Sequence, residues 1–177
     1  MKKNKKNKTY PSAGILLKSV MDEYDKERQR SEHIERKAEH FMTLIALIST
    51  IFIPIIGFDN IVRTLNEGRC LIKCITLIIS LFIVASFIIL IYAFKKLYDA
   101  YKLRTYYRFN MDNIVDDNLR RDHNEVEYML CDNYQDIVND NIKENNDKCN
   151  CIEIGIKFSG IGFLILALST IVLKLIV

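Results

Sequence analysis

Hydrophobic positions along the chain fall into three blocks separated by charged stretches. The central block, residues 74–94 (CITLIISLFIVASFIILIYAF), holds 21 residues with no charge, no Pro and no Gly. As a helix rising about 1.5 Å per residue it spans roughly 31 Å, the thickness of a bilayer's hydrocarbon core. It is apolar all round, where a soluble surface helix shows a polar stripe. Residues 41–58 give 18 uncharged positions, with Pro54 predicting a bend near the far end. Residues 152–177 form the third block, uncharged from Phe158 to Leu173, with Glu153, Lys157 and Lys174 at its rims. The pattern predicts an all-α membrane protein with three transmembrane helices.

The charged stretches keep helical spacing. Leu17, Met21 and Tyr24 share one helix face, as do Ile34, Ala38 and Phe41. A second series runs Val126, Leu130, Tyr134, Val138, Ile142 and Cys149. Both series lead into a span without a breaker, so long cytosolic helical extensions forming a stalk-like bundle are expected. The organisation reads as a basic disordered tail (1–10), then a cytosolic helix continuing into the first span (11–58). An external loop (59–73) leads to the second span with a basic cytosolic extension (74–109). A linker (110–122) precedes an acidic cytosolic helix that continues into the third span (123–177).

Charge sharpens this picture. Residues 123–151 hold seven acids against Lys143 and Lys148, a net of −5, and residues 95–109 hold five bases against Asp99, a net of +4. Those segments are expected to lie side by side. The stripes Leu17–Met21–Tyr24 and Val126–Leu130–Tyr134 should meet and supply the main cohesion. The polar stretches 25–33 and 140–146 should make the membrane-proximal half looser. Eleven Lys and Arg residues precede position 41, three lie in 59–73 and five in 95–108. Because positive residues stay inside, the amino terminus and residues 95–151 are expected in the cytosol, with 59–73 and the carboxyl terminus outside. Lys95, Lys96, Tyr98, Lys157 and Lys174 are membrane-interface candidates, the lysines by snorkelling and the tyrosine as part of an aromatic belt.

Small residues mark where helices can approach closely. Thr43, Ala46, Thr50 and Gly57 are assigned to one face of the first span, for helix packing or pore lining. Gly155, Ser159 and Gly162 give a small-residue series on the third.

Candidate chemistry is thin. His33, His40 and His123 belong to no HExxH, phosphate loop or nucleophile elbow. Cys70 and Cys74 share a face at i, i+4 but have no further ligands beside them. Cys149 and Cys151 lie where S-acylation occurs. Five cysteines without framework spacing read as reduced thiols. A net charge of only +3 gives no case for nucleic acid. No enzyme activity, cofactor or metal is expected.

The segment EYDKERQRSEHIERKAEHFMTLIALISTI, and the Asn-rich run DNYQDIVNDNIKENNDKCNCIEIGIKF before the last span, resemble small multi-spanning effectors of bacterial anti-phage systems of the cyclic-nucleotide or retron type. The resemblance implies an inner-membrane homo-oligomer that perturbs or permeabilises the bacterial membrane on a cue. Membrane lipids, and a soluble defence-system protein, would be its partners. The alternative is a membrane adaptor whose cytosolic helices recruit a soluble partner.

Overall fold

The computed structural model describes residues 12–102, 107–108 and 121–176. Those residues form four helices and no strands: α1 (Ala13–Ile56), α2 (Phe58–Glu67), α3 (Cys70–Tyr101) and α4 (His123–Ile176). Helices α1, α3 and α4 are each long and apolar enough to cross a membrane. The tail 1–10 and most of the linker 110–122 lie outside the described residues.

Several boundaries differ from the sequence reading. The first span ends at Ile56, because Gly57 adopts φ 65° and ψ 63°, a left-handed conformation that glycine alone enters without a Cβ penalty. Pro54 therefore lies in the last turn of α1, close to where the helix stops anyway. The expected loop 59–73 is mostly helix. In α2, Ile61 is buried while Asp59, Asn60, Val62 and Arg63 face out. Its end is tied by the Gly68 N–H to the Thr64 carbonyl and by Lys73 Nζ to the Asn66 carbonyl, at 3.0 and 2.8 Å. Helix α3 starts at Cys70 rather than 74 and stops at Tyr101 rather than 109.

The chain divides into two compact units, and α1 and α4 each contribute to both. One unit takes Met1–His33 and Leu103–Asn146. There α1 and α4 run in the same direction. Gly14 lies against Glu127, the Tyr24 and Tyr134 rings meet edge to face at 5.8 Å, and Arg30 bonds Asn146, so partners rise together along both helices. Met21 does not join this contact: it is 45% exposed, and Leu17, Val20 and Tyr24 are the half-buried positions. A heptad face running through 17, 20 and 24 excludes 21, which lies about 100° away from position 20.

The other unit takes Ile34–Lys102 and Asp147–Val177. In α3 the buried residues are Thr76, Ile79, Ile83, Ser86, Leu90, Ala93, Leu97 and Ala100, alternating steps of three and four. In α4 the buried series is Lys148, Ile152, Gly155, Ser159, Gly162 and Leu166, with the same steps. That is the knobs-into-holes spacing of a left-handed coiled coil. Leu97 seats on Gly155 and Leu90 on Gly162, so α3 and α4 are antiparallel here. A Cβ on Gly155 would stand 2.7 Å from Leu97 Cγ, and one on Gly162 would stand 2.9 Å from Leu90 Cγ. The glycines are holes for leucine knobs. The outward residues, among them Leu47, Ile51, Leu81, Ile88, Leu164 and Leu168, are exposed and apolar. In lipid such residues gain nothing by turning inward, so close packing at the small residues holds the helices together.

Candidate functional site

The unit built from Met1–His33 and Leu103–Asn146 has a core unlike the other. Among its described residues only Ala13 and Val138 are buried apolar side chains, whereas Glu27, Ser31, Asn141 and Asn145 are buried polar ones. On α4, Val138, Asn141 and Asn145 continue one face at steps of three and four, so the asparagines occupy core positions. Polar groups at such positions cost stability unless bonded and serve to fix register.

They are bonded. Asn145 Nδ2 donates to the Glu27 carbonyl at 2.9 Å and to Glu27 Oε2 at 2.8 Å. Arg30 Nη1 faces both Glu27 carboxylate oxygens at 3.4 Å, and Arg30 Nη2 donates to Asn146 Oδ1 at 2.8 Å. Asn141 grips the backbone of one residue: its Oδ1 accepts from the Tyr107 N–H at 3.1 Å and its Nδ2 donates to the Tyr107 carbonyl at 3.2 Å. Residues 25–33 and 140–146, expected to be loose, thus carry the most specific contacts of this unit. Nearby, burial raises the Tyr24 hydroxyl pKa above its ordinary value, opposed in part by the positive charge of Arg108 and reinforced by Tyr134.

Within the other unit, Lys148 Nζ lies 2.6 Å from Glu35 Oε1, with the lysine side chain only 4% exposed. Lys148 occupies a core position, and this carboxylate offsets part of the cost of burying its ammonium.

The residues singled out from sequence separate into two groups. Gly155, Ser159 and Gly162 are buried, and the Ser159 hydroxyl donates to the Ile156 carbonyl at 2.8 Å. Thr43, Ala46 and Thr50 are exposed on α1. Their two hydroxyls donate to the Glu39 and Ala46 carbonyls at 2.9 and 2.8 Å, which hides the donors and leaves a small, smooth face. Gly57 does not belong to that face, because it ends the helix. Lys95, Tyr98, Lys157 and Lys174 are exposed; Lys96 is half-buried and lies over the Tyr92 ring at 5.8 Å. Lys174 Nζ reaches the Gly57 turn, 3.7 Å from where a Cβ would stand.

Sequence reasoning missed Glu27, Glu35, Asn141, Asn145 and Lys148. The signal was their spacing: Val138, Asn141, Asn145, Lys148 and Ile152 keep the same three-four step, but a search weighted by hydrophobicity passes over polar members.

Among the described residues, no group of three or more His, Cys, Asp or Glu side chains could hold a metal. His40 Nδ1 is bonded to the Arg36 carbonyl, and His123 pairs with Glu127 on the surface. No family model, curated protein or solved structure matches the chain.

Proposed function

We propose that the protein is a non-enzymatic, oligomeric effector of the bacterial inner membrane. It acts in anti-phage defence by permeabilising the bilayer when its copies associate. The observation that supports this reading is the exposed Thr43–Ala46–Thr50 face of α1, set in an 18-residue uncharged stretch. Gly155 and Gly162 of α4 are used inside the protomer, against Leu97 and Leu90. The small residues of α1 are left for another copy, and small faces are what transmembrane helices associate through. The two hydroxyl oxygens, seven residues apart, would also be the polar surface of such an assembly. By the positive-inside rule the amino terminus is cytosolic and the carboxyl terminus outside, so residues 12–40 and 123–151 form a cytosolic stalk. Its buried polar contacts fix a single register for α1 against α4, which suits a part that passes a displacement to the spans.

Induced expression in bacteria with a membrane-potential dye tests this. Depolarisation is expected with the wild-type chain and its loss with Ala46→Leu, which adds bulk to the small face without entering the protomer's core. Unchanged potential with the wild-type chain inserted in the membrane contradicts it.

A second reading, a membrane adaptor for a soluble partner, is favoured by an open groove between α1 and α4, with a volume of about 410 Å³.

A further inference from the structure

We infer that this groove is a docking site for a basic amphipathic helix of a soluble partner protein. The inference stands apart from the effector reading, because it concerns only the unit of Met1–His33 and Leu103–Asn146. Parallel α1 and α4 leave a trough whose floor is Val138 and whose apolar wall includes Leu16, Val20 and Ile142. Leu16 is 53% exposed, and Ile15 beside it is 77% exposed. A large aliphatic side chain as exposed as Leu16 in the wall of a trough is the kind of surface a partner helix covers. On α4 the trough runs over residues 131–142, about 17 Å of helix, or roughly three turns. Two parallel helices with an apolar seam between them offer the seat of a third, read by anchors at i, i+4 and i+7.

The partner's charge follows from the rim. Asp132 and Asp136 come directly after the groove-lining Cys131 and Gln135, one turn apart, and both are exposed. Neither has an ion-pair partner among the described residues. Helix α4 has no Lys or Arg over residues 124–142, against five acids. On the α1 side Glu23 lines the trough, offset by Lys26 at 3.0 Å. An acidic partner would meet repulsion from Asp132 and Asp136. Lysines or arginines flanking the apolar anchors would face Asp132 and Asp136 and set the orientation of docking, chiefly through specificity and association rate.

The probe is a fluorescein-labelled helical peptide of about 15 residues, roughly four turns, with Leu at i, i+4 and i+7 and Lys on both flanks. Its anisotropy is followed on titration with the full-length protein in phosphatidylcholine nanodiscs, with empty nanodiscs as blank. Saturable binding is expected. Replacing the flanking Lys by Glu, or changing the protein by Leu16→Glu, weakens it at least about tenfold, and Asp132→Asn with Asp136→Asn weakens it about fivefold. Unaltered helicity by circular dichroism shows that the Leu16→Glu protein is folded. Equal binding of the Glu peptide, indifference to Leu16→Glu, or no saturable binding overturns the inference. In a variant keeping Cys131 as sole cysteine, maleimide reactivity that falls with protein concentration alone would mean that a second copy fills the groove, which also overturns it.

Discussion

The side-chain amide of Asn145 donates to both the backbone carbonyl and the carboxylate of Glu27, at 2.9 and 2.8 Å, with both residues buried. The amide therefore spans from helix to helix at a core position. Asn145→Ala leaves two acceptors buried without that donor. It is expected to cost about 1–3 kcal/mol, the range for losing hydrogen bonds that include one to a charged acceptor, while Glu27 keeps Arg30. Asn145→Asp places a second carboxylate beside Glu27, so its destabilisation should be greater at neutral pH and shrink as the medium is acidified. Urea melts of the full-length protein in detergent at two pH values measure both.

Gly155 and Gly160 predict opposite outcomes. A Cβ at 155 meets Leu97 Cγ at 2.7 Å and the Ala93 carbonyl oxygen at 3.2 Å; a Cβ at 160 meets nothing within 4 Å. Gly155→Val is expected to destabilise by about 1–3 kcal/mol through overpacking, with partial recovery on adding Leu97→Ala. Gly160→Val should be near neutral. Thermal unfolding in detergent separates them.

Lys148 and Glu35 form a pair whose halves differ in burial, 4% against 25% side-chain exposure. Glu35→Gln, which removes the carboxylate charge beside a buried ammonium, should cost more than the surface pair change Glu67→Gln. Removing both charges with Lys148→Met and Glu35→Leu should recover much of the loss, since apolar replacements of buried pairs are often neutral or better. A double-mutant cycle reads the coupling.

Tyr24 titrates late. Burial raises its hydroxyl pKa above the ordinary value of about 10. The folded state thus holds the proton more tightly than the unfolded one. The resulting stability is fully present below pH of about 10 and is lost as pH rises through the folded value. The tyrosinate absorbance difference between wild type and Tyr24→Phe should place the Tyr24 transition above that of exposed tyrosines, and Tyr24→Phe should flatten the alkaline loss of stability.

The three long apolar helices were legible because length and apolarity alone mark them: residues 74–94 are 21 uncharged positions, enough to cross a bilayer. Gly57 as a stop was not legible, since a glycine near Pro54 in an apolar run is equally at home inside a membrane helix. Helix α2 was hidden by its shortness, with Ile61 its lone buried residue. The small residues Gly155 and Gly162 could be read as contact positions, but their partners Leu97 and Leu90 come from a register between helices that no local pattern encodes. The polar core was the largest miss. Asn141, Asn145 and Lys148 look like solvated residues until their spacing is joined to that of Val138 and Ile152.

Ion flux from proteoliposomes tests most directly whether association of copies opens the membrane. Purified full-length protein is inserted at rising protein-to-lipid ratio and potassium release is recorded. Release is expected to climb more steeply than in proportion to protein density, and Ala46→Leu is expected to suppress it at equal insertion. No release at any density from fully inserted wild-type protein, or release unaffected by Ala46→Leu, would contradict this expectation.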